Sequence, residues 1–388
     1  MNLPKNSAGD NSYSIENNLN CLFLFSSVYG SIGGIQKYNQ QLIQAWKRSF
    51  PQHRLYVFGF EDNKNQTIDS QTVVSVHGCS YKTRWLRKLE FCLNALRCVL
   101  FNRVDLILAG HIRYAFIFSL LSKLTRARYV IVIHGEEATQ SKGYFARWGL
   151  RCADAIWSVS RFTANGCTQE NGINVNKVVL IPNYADEEWY SPGPVAPEFK
   201  EKYLIKNQKI LLTVSRLDSR EKHKGIENTL MAISKIASRY PELIYFIVGS
   251  GDDLPRLLDV CRKLKVDHLV RFVGGCSEVE LLDFYRSSHC YVMPSTEGFG
   301  IVYLEALLTG VPVVSGNQDG SEEPLQEGRL GWRVNKHSPE AIATACIEAL
   351  VGADPRCKGS WLREETLKKF GKQAFEQKLR MNIRKLFA

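Results

Sequence analysis

The stretch Ser295-Thr-Glu-Gly-Phe-Gly-Ile-Val-Tyr-Leu-Glu305-Ala-Leu-Leu-Thr-Gly-Val-Pro-Val-Val314 decides the fold, because it joins a strand to a helix through a glycine-bracketed turn. The apolar run before it, residues 289–294, predicts a buried strand that ends at Pro294, and a helix is predicted from about Gly300. The first N–H groups of such a helix lack intrahelical partners and carry the positive end of its dipole. They therefore suit an anionic ligand.

Two carboxylates flank this helix start: Glu297 lies just before it, and Glu305 lies about a turn and a half inside. The predicted helix is apolar almost all round, so Glu305 should be at least partly buried and should need hydrogen-bond donors. Sugar hydroxyls are suitable donors. The alternative is that Glu305 caps a neighbouring backbone while Glu297 is a solvated turn residue.

Short apolar runs of strand length alternate with helical stretches along the whole chain. In the first half these predicted strands are Cys21–Val28, Arg54–Phe60, Val73–His77, Val104–Ala109 and Tyr129–His134. The pattern restarts in the second half with Ile210–Val214, Leu243–Val248, Val270–Phe272, Cys290–Met293 and Val311–Ser315. Such alternation is typical of parallel sheets covered on both faces, so we expect an α/β protein with two Rossmann-like units.

A proline-rich segment separates the two units. Tyr190-Ser-Pro-Gly-Pro-Val-Ala-Pro197 holds three prolines and one glycine in eight residues, which makes it the best linker candidate. We therefore predict a first domain over residues 1–192 and a second over residues 193–369.

Composition restricts the class of protein. With 388 residues and 45% hydrophobic content, the chain can bury a large core. Residues 1–20 are polar without a basic segment before an apolar core, and no run is long enough to span a bilayer. The 11 cysteines are scattered singly, as expected for buried thiols in a reducing compartment. We expect a cytoplasmic protein.

The net charge of +11 calls for a negatively charged partner. The segment Tyr81–Arg103 places Trp85, Leu89, Cys92, Leu96 and Val99 at helical spacing, with Lys82, Arg84, Arg87, Lys88, Arg97 and Arg103 around them. This pattern is typical of an amphipathic helix on an anionic membrane surface, and equally of a core-packing helix with a solvated basic rim. No aromatic-interleaved RNA motif is present, so nucleic acid is not an expected partner.

Four motifs in order along the chain resemble those of the retaining family-four glycosyltransferases. They are Ser31-Ile-Gly-Gly-Ile-Gln-Lys-Tyr38, Ser215-Arg-Leu-Asp-Ser-Arg-Glu-Lys-His-Lys-Gly225, Phe246-Ile-Val-Gly-Ser-Gly-Asp252, and Glu297-x7-Glu305 followed by Gly310-Val-Pro-Val-Val. The resemblance implies the GT-B fold, in which two Rossmann-like domains face each other across a cleft. It also implies that a C-terminal helix, residues 370–388, crosses back to the first domain.

The resemblance further implies roles for individual residues. His134, at the end of a predicted strand, and Glu297 would be catalytic and contact the donor sugar, and Glu305 would accept hydrogen bonds from the nucleotide ribose. The remaining donor-binding residues would be Gly33, Gly34, Arg216, Lys224, Gly249, Gly251, Phe299, Gly300 and Ile301. Lys222 is an alternative to Lys224, a core histidine is the alternative for His134, and His111 is a weaker candidate on the acceptor side.

Cations or a metal must stabilise a departing nucleoside diphosphate. The chain has no Asp-x-Asp pair beside an apolar strand, which favours a mechanism based on Arg216 and a lysine, without a metal or cofactor. The glycine patterns around Gly33 and Gly249 do not match the dinucleotide fingerprint, so a nicotinamide enzyme is disfavoured.

The loop Gly316-Asn-Gln-Asp-Gly-Ser-Glu-Glu323 departs from the commoner Gly-Gly-x-x-Glu pattern of the family and resembles the version seen in some bacterial surface-polysaccharide enzymes, which leaves the preferred sugar and base open. We expect it to be a solvated acidic loop, although Asp319 and Glu322 could approach the nucleotide.

The expected function is transfer of a hexosyl unit from a UDP- or GDP-hexose to a glycan or lipid-linked glycan, in polysaccharide or glycolipid biosynthesis. Peripheral attachment to the inner face of the plasma membrane is compatible with this function. The two glutamates do not resemble a glycosidase pair, because a helix start separates them. The rival functions are a GT-B epimerase or hydrolase, and a non-catalytic nucleotide-sugar-binding protein.

Overall fold

The computed structural model describes residues 18–30, 33–63, 66–68, 74–135, 138 and 143–388. In this part of the chain, strands alternate with helices, and the strands form two separate sheets. The prediction of an α/β protein with two Rossmann-like units is confirmed.

The first unit is built on an eight-stranded sheet. Its elements are β1 (Asn20–Phe25), α1 (Gly34–Ser49), β2 (Arg54–Asn63), β3 (Gln66–Ile68), β4 (Val74–Cys79), α2 (Arg84–Phe101), β5 (Leu106–Ala109), α3 (Ala115–Thr125), β6 (Arg128–Ile133), α4 (Tyr144–Arg151), β7 (Ala155–Ser158), α5 (Arg161–Asn171) and β8 (Val178–Leu180). The strand order is β3-β4-β2-β1-β5-β6-β7-β8, and every pair is parallel except β3 with β4.

The second unit is built on a six-stranded parallel sheet. Its elements are α6 (Pro197–Lys202), β9 (Ile210–Val214), α7 (Ile226–Ala237), β10 (Ile244–Val248), α8 (Leu254–Leu264), β11 (Val270–Gly274), α9 (Glu278–Ser287), β12 (Cys290–Met293), α10 (Ile301–Leu308), β13 (Val313–Gly316), β14 (Gly331–Val334), α11 (Pro339–Val351), α12 (Gly359–Phe370) and α13 (Lys372–Phe387). The strand order is β11-β10-β9-β12-β13-β14.

Apolar side chains cover both faces of each sheet, as parallel strands require. In β1, Phe23 and Phe25 point into one cluster of buried side chains, and Leu22 and Leu24 point into another. The first of these clusters continues through the second unit and includes side chains of β9, α10, α12 and α13. One apolar core therefore connects the two units.

Helix α13 packs on the first unit, although it follows the second along the chain. Its Phe375 meets the ring of Tyr38 on α1 with a centroid distance of 6.3 Å, and Glu376 pairs with Arg48 of α1 at 2.6 Å. The C-terminal helix thus spans the two units.

The first strand is shorter than predicted. We expected it to reach Val28, but β1 ends at Phe25 because the backbone turns towards the buried carboxylate of Asp62. That carboxylate accepts the N–H groups of Val28, Tyr29 and Gly30 at 2.6–2.7 Å. These N–H groups are satisfied by Asp62 instead of a neighbouring strand.

Four strands were not predicted: β3, β7, β8 and β14. Each has only three or four residues, and segments of this length give only a weak periodicity signal. β3, β8 and β14 lie at the edges of their sheets, and β7 lies between β6 and β8.

Helix α2 has two apolar sides. Phe91, Ala95, Cys98 and Val99 are buried against the sheet, whereas Trp85 is 65% exposed. The exposed stripe contains Trp85, Leu89, Leu93 and Leu100, and neighbouring α3 adds exposed Leu120 and Leu124. The core-packing interpretation of residues 81–103 thus holds for one side of α2 only.

Among the described residues, no helix combines the length and the apolar character that crossing a bilayer requires. All 11 cysteines are free thiols.

Candidate active site

A cavity of about 700 Å³ lies between the carboxyl ends of the strands of both sheets. In open α/β sheets this edge is where ligands bind. All of the predicted site residues except Gly251 line it: Gly33, Gly34 and His134 from the first unit, and Arg216, Lys224, Gly249, Glu297, Phe299, Gly300, Ile301 and Glu305 from the second. The tertiary structure therefore gathers residues up to 272 positions apart (305 − 33) into one site.

Glu297 lies on the turn between β12 and α10 and is held by three neighbours. Its carboxylate accepts a hydrogen bond from the ammonium of Lys224 at 2.7 Å and one from the hydroxyl of Ser295 at 3.0 Å. Its backbone N–H donates to the Asp319 carboxylate at 2.8 Å. The carboxylate is thus fixed beside a cation at the edge of the cavity.

The start of α10 has the geometry of an anion site. The N-cap residue Gly300 has a φ of 86°, a left-handed conformation that glycine adopts without strain, and no side chain caps the helix. The adjacent residues Phe299 and Ile301 line the cavity. Unpaired N–H groups and the helix dipole together favour a negatively charged ligand at this point.

Glu305 is buried, with only 1% of its surface exposed, so the predicted burial is confirmed. Lys37 of the first unit donates to one carboxylate oxygen at 2.7 Å, and the hydroxyl of Tyr285 donates to the other at 2.8 Å. The donors that burial demands are therefore supplied by side chains from both units. Among the described residues, no backbone N–H donates to the Glu305 carboxylate, so the capping alternative does not hold there.

His134 follows β6 and lies in the wall of the cavity. Its Nε2 lies 3.2 Å from the carbonyl oxygen of Gly110, and since a carbonyl only accepts, Nε2 carries the proton. Burial lowers the pKa of His134 to about 4, against the opposing effect of that hydrogen bond. The imidazole is therefore neutral at physiological pH.

The two cations predicted to bind a diphosphate lie in different environments. Arg216 follows β9, is largely exposed and pairs with Glu221. Lys224 is mostly buried and pairs with Glu297, and it precedes Gly225, whose added Cβ would lie 2.1 Å from the Pro294 carbonyl oxygen. Lys222 lies in the same short 3-10 turn.

Gly249 and Gly251 allow two backbone segments to approach each other. An added Cβ would lie 1.9 Å from the Ser215 carbonyl oxygen at Gly249, and 2.1 Å from that of Leu217 at Gly251. Gly249 also lines the cavity, whereas Gly251 does not. Close packing against the Leu217 backbone therefore explains why position 251 is a glycine.

The loop after β13 differs from the prediction. Asp319 is 2% exposed, so it is not part of a solvated acidic loop. Burial raises the pKa of Asp319 to about 6, although hydrogen bonds from Ser321 and from the Glu297 N–H oppose the shift. Glu322 is partly exposed, and neither acid lines the cavity. Asp319 instead supports the turn that carries Glu297.

Several residues that sequence reasoning missed also shape the site. Lys37 and Asn183 line the cavity, and the Arg161 guanidinium pairs with Glu323 across the two units at 2.6 Å. His111 lies outside the cavity lining, and its Nδ1 accepts the N–H of Arg113 at 3.0 Å. Lys37 follows the glycine pair in the first quoted motif by three residues, which was the one available signal for it.

Within the described ranges, no three His, Cys, Asp or Glu side chains converge as metal ligands would.

Two family models match adjacent parts of the chain. Residues 32–189 match Glycosyltransferase Family 4, and residues 195–376 match Glycosyl transferases group 1. The two matched regions together include every strand of both sheets except β1, and they are separated only by residues 190–194 of the joining segment.

Curated relatives show moderate identity. A GDP-mannose-dependent alpha-(1-6)-phosphatidylinositol monomannoside mannosyltransferase of Mycolicibacterium smegmatis is 32% identical over 242 residues, which cover 59% of this chain. The match spans 62% of that relative, which is less than two thirds of its length. N-acetyl-alpha-D-glucosaminyl L-malate synthase of Bacillus anthracis is 26% identical over 67% of this chain and 70% of its own.

Solved structures show the same fold at lower identity. Anabaena HepE in complex with UDP superposes with a TM-score of 0.77 at 19% identity and covers 95% of this chain and all of its own. Sucrose-phosphate synthase from Thermosynechococcus elongatus gives a TM-score of 0.79 at 19% identity, with coverage of 95% and 99%. At this level of identity the likeness concerns the architecture alone.

Proposed function

Because the chain belongs to the family-four glycosyltransferases of GT-B fold, we propose that it transfers a hexosyl unit from a nucleotide sugar to a glycan or lipid-linked glycan. The donor would be a UDP- or GDP-hexose held mainly by the second unit, and the acceptor would enter from the first. Transfer would retain the anomeric configuration and would require no metal or cofactor.

One observation carries the proposal: Glu297 and Lys224 lie 2.7 Å apart at the uncapped start of α10, inside the cavity between the two sheets. A hexosyl diphosphate presents hydroxyl groups beside two phosphates. The carboxylate is a hydrogen-bond acceptor for the hydroxyl groups, while the ammonium and the helix N–H groups suit the phosphates. The juxtaposition matches the junction between sugar and diphosphate.

The residues of the cavity would have different roles in the transfer reaction. Negative charge builds up on the diphosphate as the glycosidic bond breaks, and Arg216, Lys224 and the α10 dipole would stabilise it. The neutral His134 would contact the sugar without adding charge. In this scheme the donor's own phosphate takes the proton of the attacking hydroxyl group, so no protein general base is needed.

The surrounding units would exclude water from the reacting centre. Gly298 lies against the His134 backbone, and its carbonyl oxygen accepts hydrogen bonds from Ser160 at 2.5 Å and Thr163 at 3.3 Å. These contacts close one side of the cavity across the unit boundary. Water exclusion favours transfer to the acceptor over hydrolysis.

The nature of the acceptor is suggested by the outer surface of the first unit. Exposed Trp85, Leu89 and Leu93 on α2 lie near exposed Lys88 and Arg97, so apolar and basic side chains share one surface. This combination suits the interface of an anionic bilayer. A relative named as a phosphatidylinositol monomannoside mannosyltransferase supports a lipid-linked acceptor. The proposed peripheral location at the inner membrane face rests on the α2 surface alone.

The proposal is tested by donor screening followed by an acceptor assay. Purified protein is heated with UDP-glucose, UDP-galactose, UDP-N-acetylglucosamine and GDP-mannose, and the cognate donor should raise Tm, since a ligand at 100 times its Kd stabilises by about 2.7 kcal/mol. Release of nucleoside diphosphate is then measured with and without a bacterial glycolipid extract. Acceptor-dependent release with an anomerically retained product supports the proposal.

Each other outcome contradicts it in a different way. Release that needs no acceptor indicates a hydrolase, and an isomerised nucleotide sugar indicates an epimerase. Donor binding without turnover in any acceptor fraction indicates a nucleotide-sugar-binding protein.

A further inference from the structure

Lys37 is a cation of the first unit that reaches the buried glutamate of the second. It lies in the first turn of α1, and its ammonium donates to Glu305 at 2.7 Å and to the hydroxyl of Tyr190 at 3.2 Å. Burial by itself lowers the pKa of Lys37, but the charge and hydrogen bond of Glu305 outweigh it and the pKa is raised. The ammonium is therefore charged at neutral pH.

Lys37 is also accessible from the cavity. Its side chain is 31% exposed, against 2% for that of Glu305, and both residues line the 700 Å³ cavity. They also line a smaller cavity of about 250 Å³, bordered by the segment Tyr184–Tyr190. The Lys37–Glu305 pair thus stands at the inner wall of the large cavity, where a bound molecule would meet both charges.

The hydrogen-bonding capacity of this pair is not exhausted. An ammonium has three N–H donors, of which two are engaged by Glu305 and Tyr190. The Glu305 carboxylate interacts with Lys37, with the Tyr285 hydroxyl and with the Tyr190 hydroxyl, whereas a carboxylate has about four acceptor positions. The pair therefore offers one donor and at least one acceptor to a ligand.

A vicinal diol fits this pair, because one of its hydroxyl groups can donate a hydrogen bond to Glu305 while the other accepts one from Lys37. We propose that Lys37 is a donor-binding residue that acts with Glu305 on the ribose diol of the nucleotide. Glu305 accepts a hydrogen bond from one ribose hydroxyl, and Lys37 donates to the oxygen of the other. The proposal rests on the function proposed above, and it extends ribose recognition to a side chain of the first unit.

The Lys37–Glu305 pair would hold the donor from both units at once. Arg216, Lys224 and Glu297 all belong to the second unit, so a donor bound by them alone would make no contact with the first unit. A ribose held by Lys37 and Glu305 together links α1 to α10 through the ligand. Donor binding then stabilises the contact between the two units.

The test compares ribose with deoxyribose. Dissociation constants of the full chain are measured calorimetrically for UDP and GDP and for their 2′-deoxy and 3′-deoxy forms. A hydrogen bond to a charged group corresponds to a loss of about tenfold to hundredfold when the hydroxyl is missing. In Lys37→Met the ratio between the dissociation constants of the deoxyribose and ribose forms should fall to within about threefold for at least one of the two hydroxyl groups. The ribose form should also bind more weakly than it binds to the wild type.

Two further variants keep the test decisive. Lys37→Gln retains an N–H donor for Glu305, so it tests the inference if Lys37→Met does not fold; because its amide is shorter and uncharged, its discrimination should also fall below that of the wild type, although less than in Lys37→Met. Lys47→Met removes a lysine of the same helix that lines neither cavity, and its discrimination should equal that of the wild type.

The possible results separate the two proposals. If folded Lys37 variants discriminate between ribose and deoxyribose as the wild type does, Lys37 only supports Glu305 or the contact between units, and the inference is overturned while the proposed function stands. If wild-type protein binds neither UDP nor GDP, the proposed function fails and the inference fails with it.

Discussion

The ammonium of Lys224 lies 2.7 Å from a carboxylate oxygen of Glu297, and both side chains are largely buried. One residue comes from the 3-10 turn before α7 and the other from the turn before α10. A partly buried pair of this kind resists solvent screening, so either charge remains strongly coupled to the other. This coupling determines what substitutions at the site should do.

Replacing Glu297 with Gln should abolish most of the transfer activity. The amide keeps the shape of the side chain but loses the charge that orients Lys224 and the strong acceptor for the sugar. We expect kcat to fall by about 100-fold or more, measured as nucleoside diphosphate release. Glu340→Gln, an exposed glutamate of α11, serves as the control and should retain full activity. Unimpaired transfer by folded Glu297→Gln would contradict the assigned role.

Replacing Arg216 with Ala should weaken donor binding and slow turnover together. Loss of a charge-assisted contact to phosphate should lower kcat/KM by about tenfold to hundredfold. The matched control is Arg220→Ala, because Arg220 lies in the same loop, is 87% exposed and pairs only with Asp218 among the described residues. Equal kinetics for the two variants would remove Arg216 from the diphosphate site.

The choice between Lys224 and Lys222 can be decided by the same kinetics. Since Lys224 lines the cavity and pairs with Glu297, Lys224→Ala should lower kcat/KM at least about tenfold more than Lys222→Ala. The reverse order would transfer the diphosphate contact to Lys222.

The free energy of unfolding should decrease as pH rises through 6, because the folded structure raises the pKa of Asp319. Its folded pKa of about 6 lies above the ordinary value of 3.8, so its contribution to stability is full below the unfolded pKa and is lost as pH rises through 6. Asp319→Asn removes this dependence. Linkage predicts that the destabilisation caused by the substitution is larger at pH 5 than at pH 7.5 by about 1 kcal/mol, measured by urea unfolding. A pH-independent difference would show that Asp319 does not titrate in this range.

The contact between Gly298 and His134 should control the fit of the two units. A Cβ added at Gly298 would lie 1.9 Å from the His134 carbonyl oxygen, so Gly298→Ala must push the units apart. Turnover should drop by at least about tenfold through misplacement of the site. Gly275 also lines the cavity but has no atom within 4 Å of an added Cβ, so Gly275→Ala should be nearly silent. Similar activity of both variants would contradict this interpretation.

The surface of α2 should determine membrane binding. Flotation with phosphatidylglycerol vesicles should recover wild-type protein, and the double substitution Trp85→Ser and Leu89→Ser should reduce binding by more than about tenfold. Lys88→Glu should weaken binding to anionic vesicles, since each basic residue near the surface contributes about 1 kcal/mol. Arg87 is a poor probe because it donates to the Asp62 backbone carbonyl at 3.1 Å. Val279→Ser, at an exposed apolar position of α9, is the control.

The α/β class and the two repeating units were predictable because they depend on local periodicity. Strands β10 and β12 are continuous apolar runs, and β9 is apolar except for Thr213. Runs of this kind favour buried strands wherever they occur along the chain. The limit of β1 and the short strands β7, β8 and β14 were not predictable. They depend on partners elsewhere, such as the Asp62 carboxylate that ends β1.

By itself the sequence determined which residues could form the site, because Glu297, Glu305 and Gly300 share one strand–turn–helix segment whose spacing is local. Only the tertiary structure decided what surrounds them. The ion pair between Lys37 and Glu305 spans 268 positions, and Asp319 was recognised as buried only from its contact with the Glu297 backbone. The apolar pattern of its own helix predicts the burial of Glu305, whereas its charge pairing with Lys37 and the burial of Asp319 arise from packing between distant segments, which no local pattern encodes.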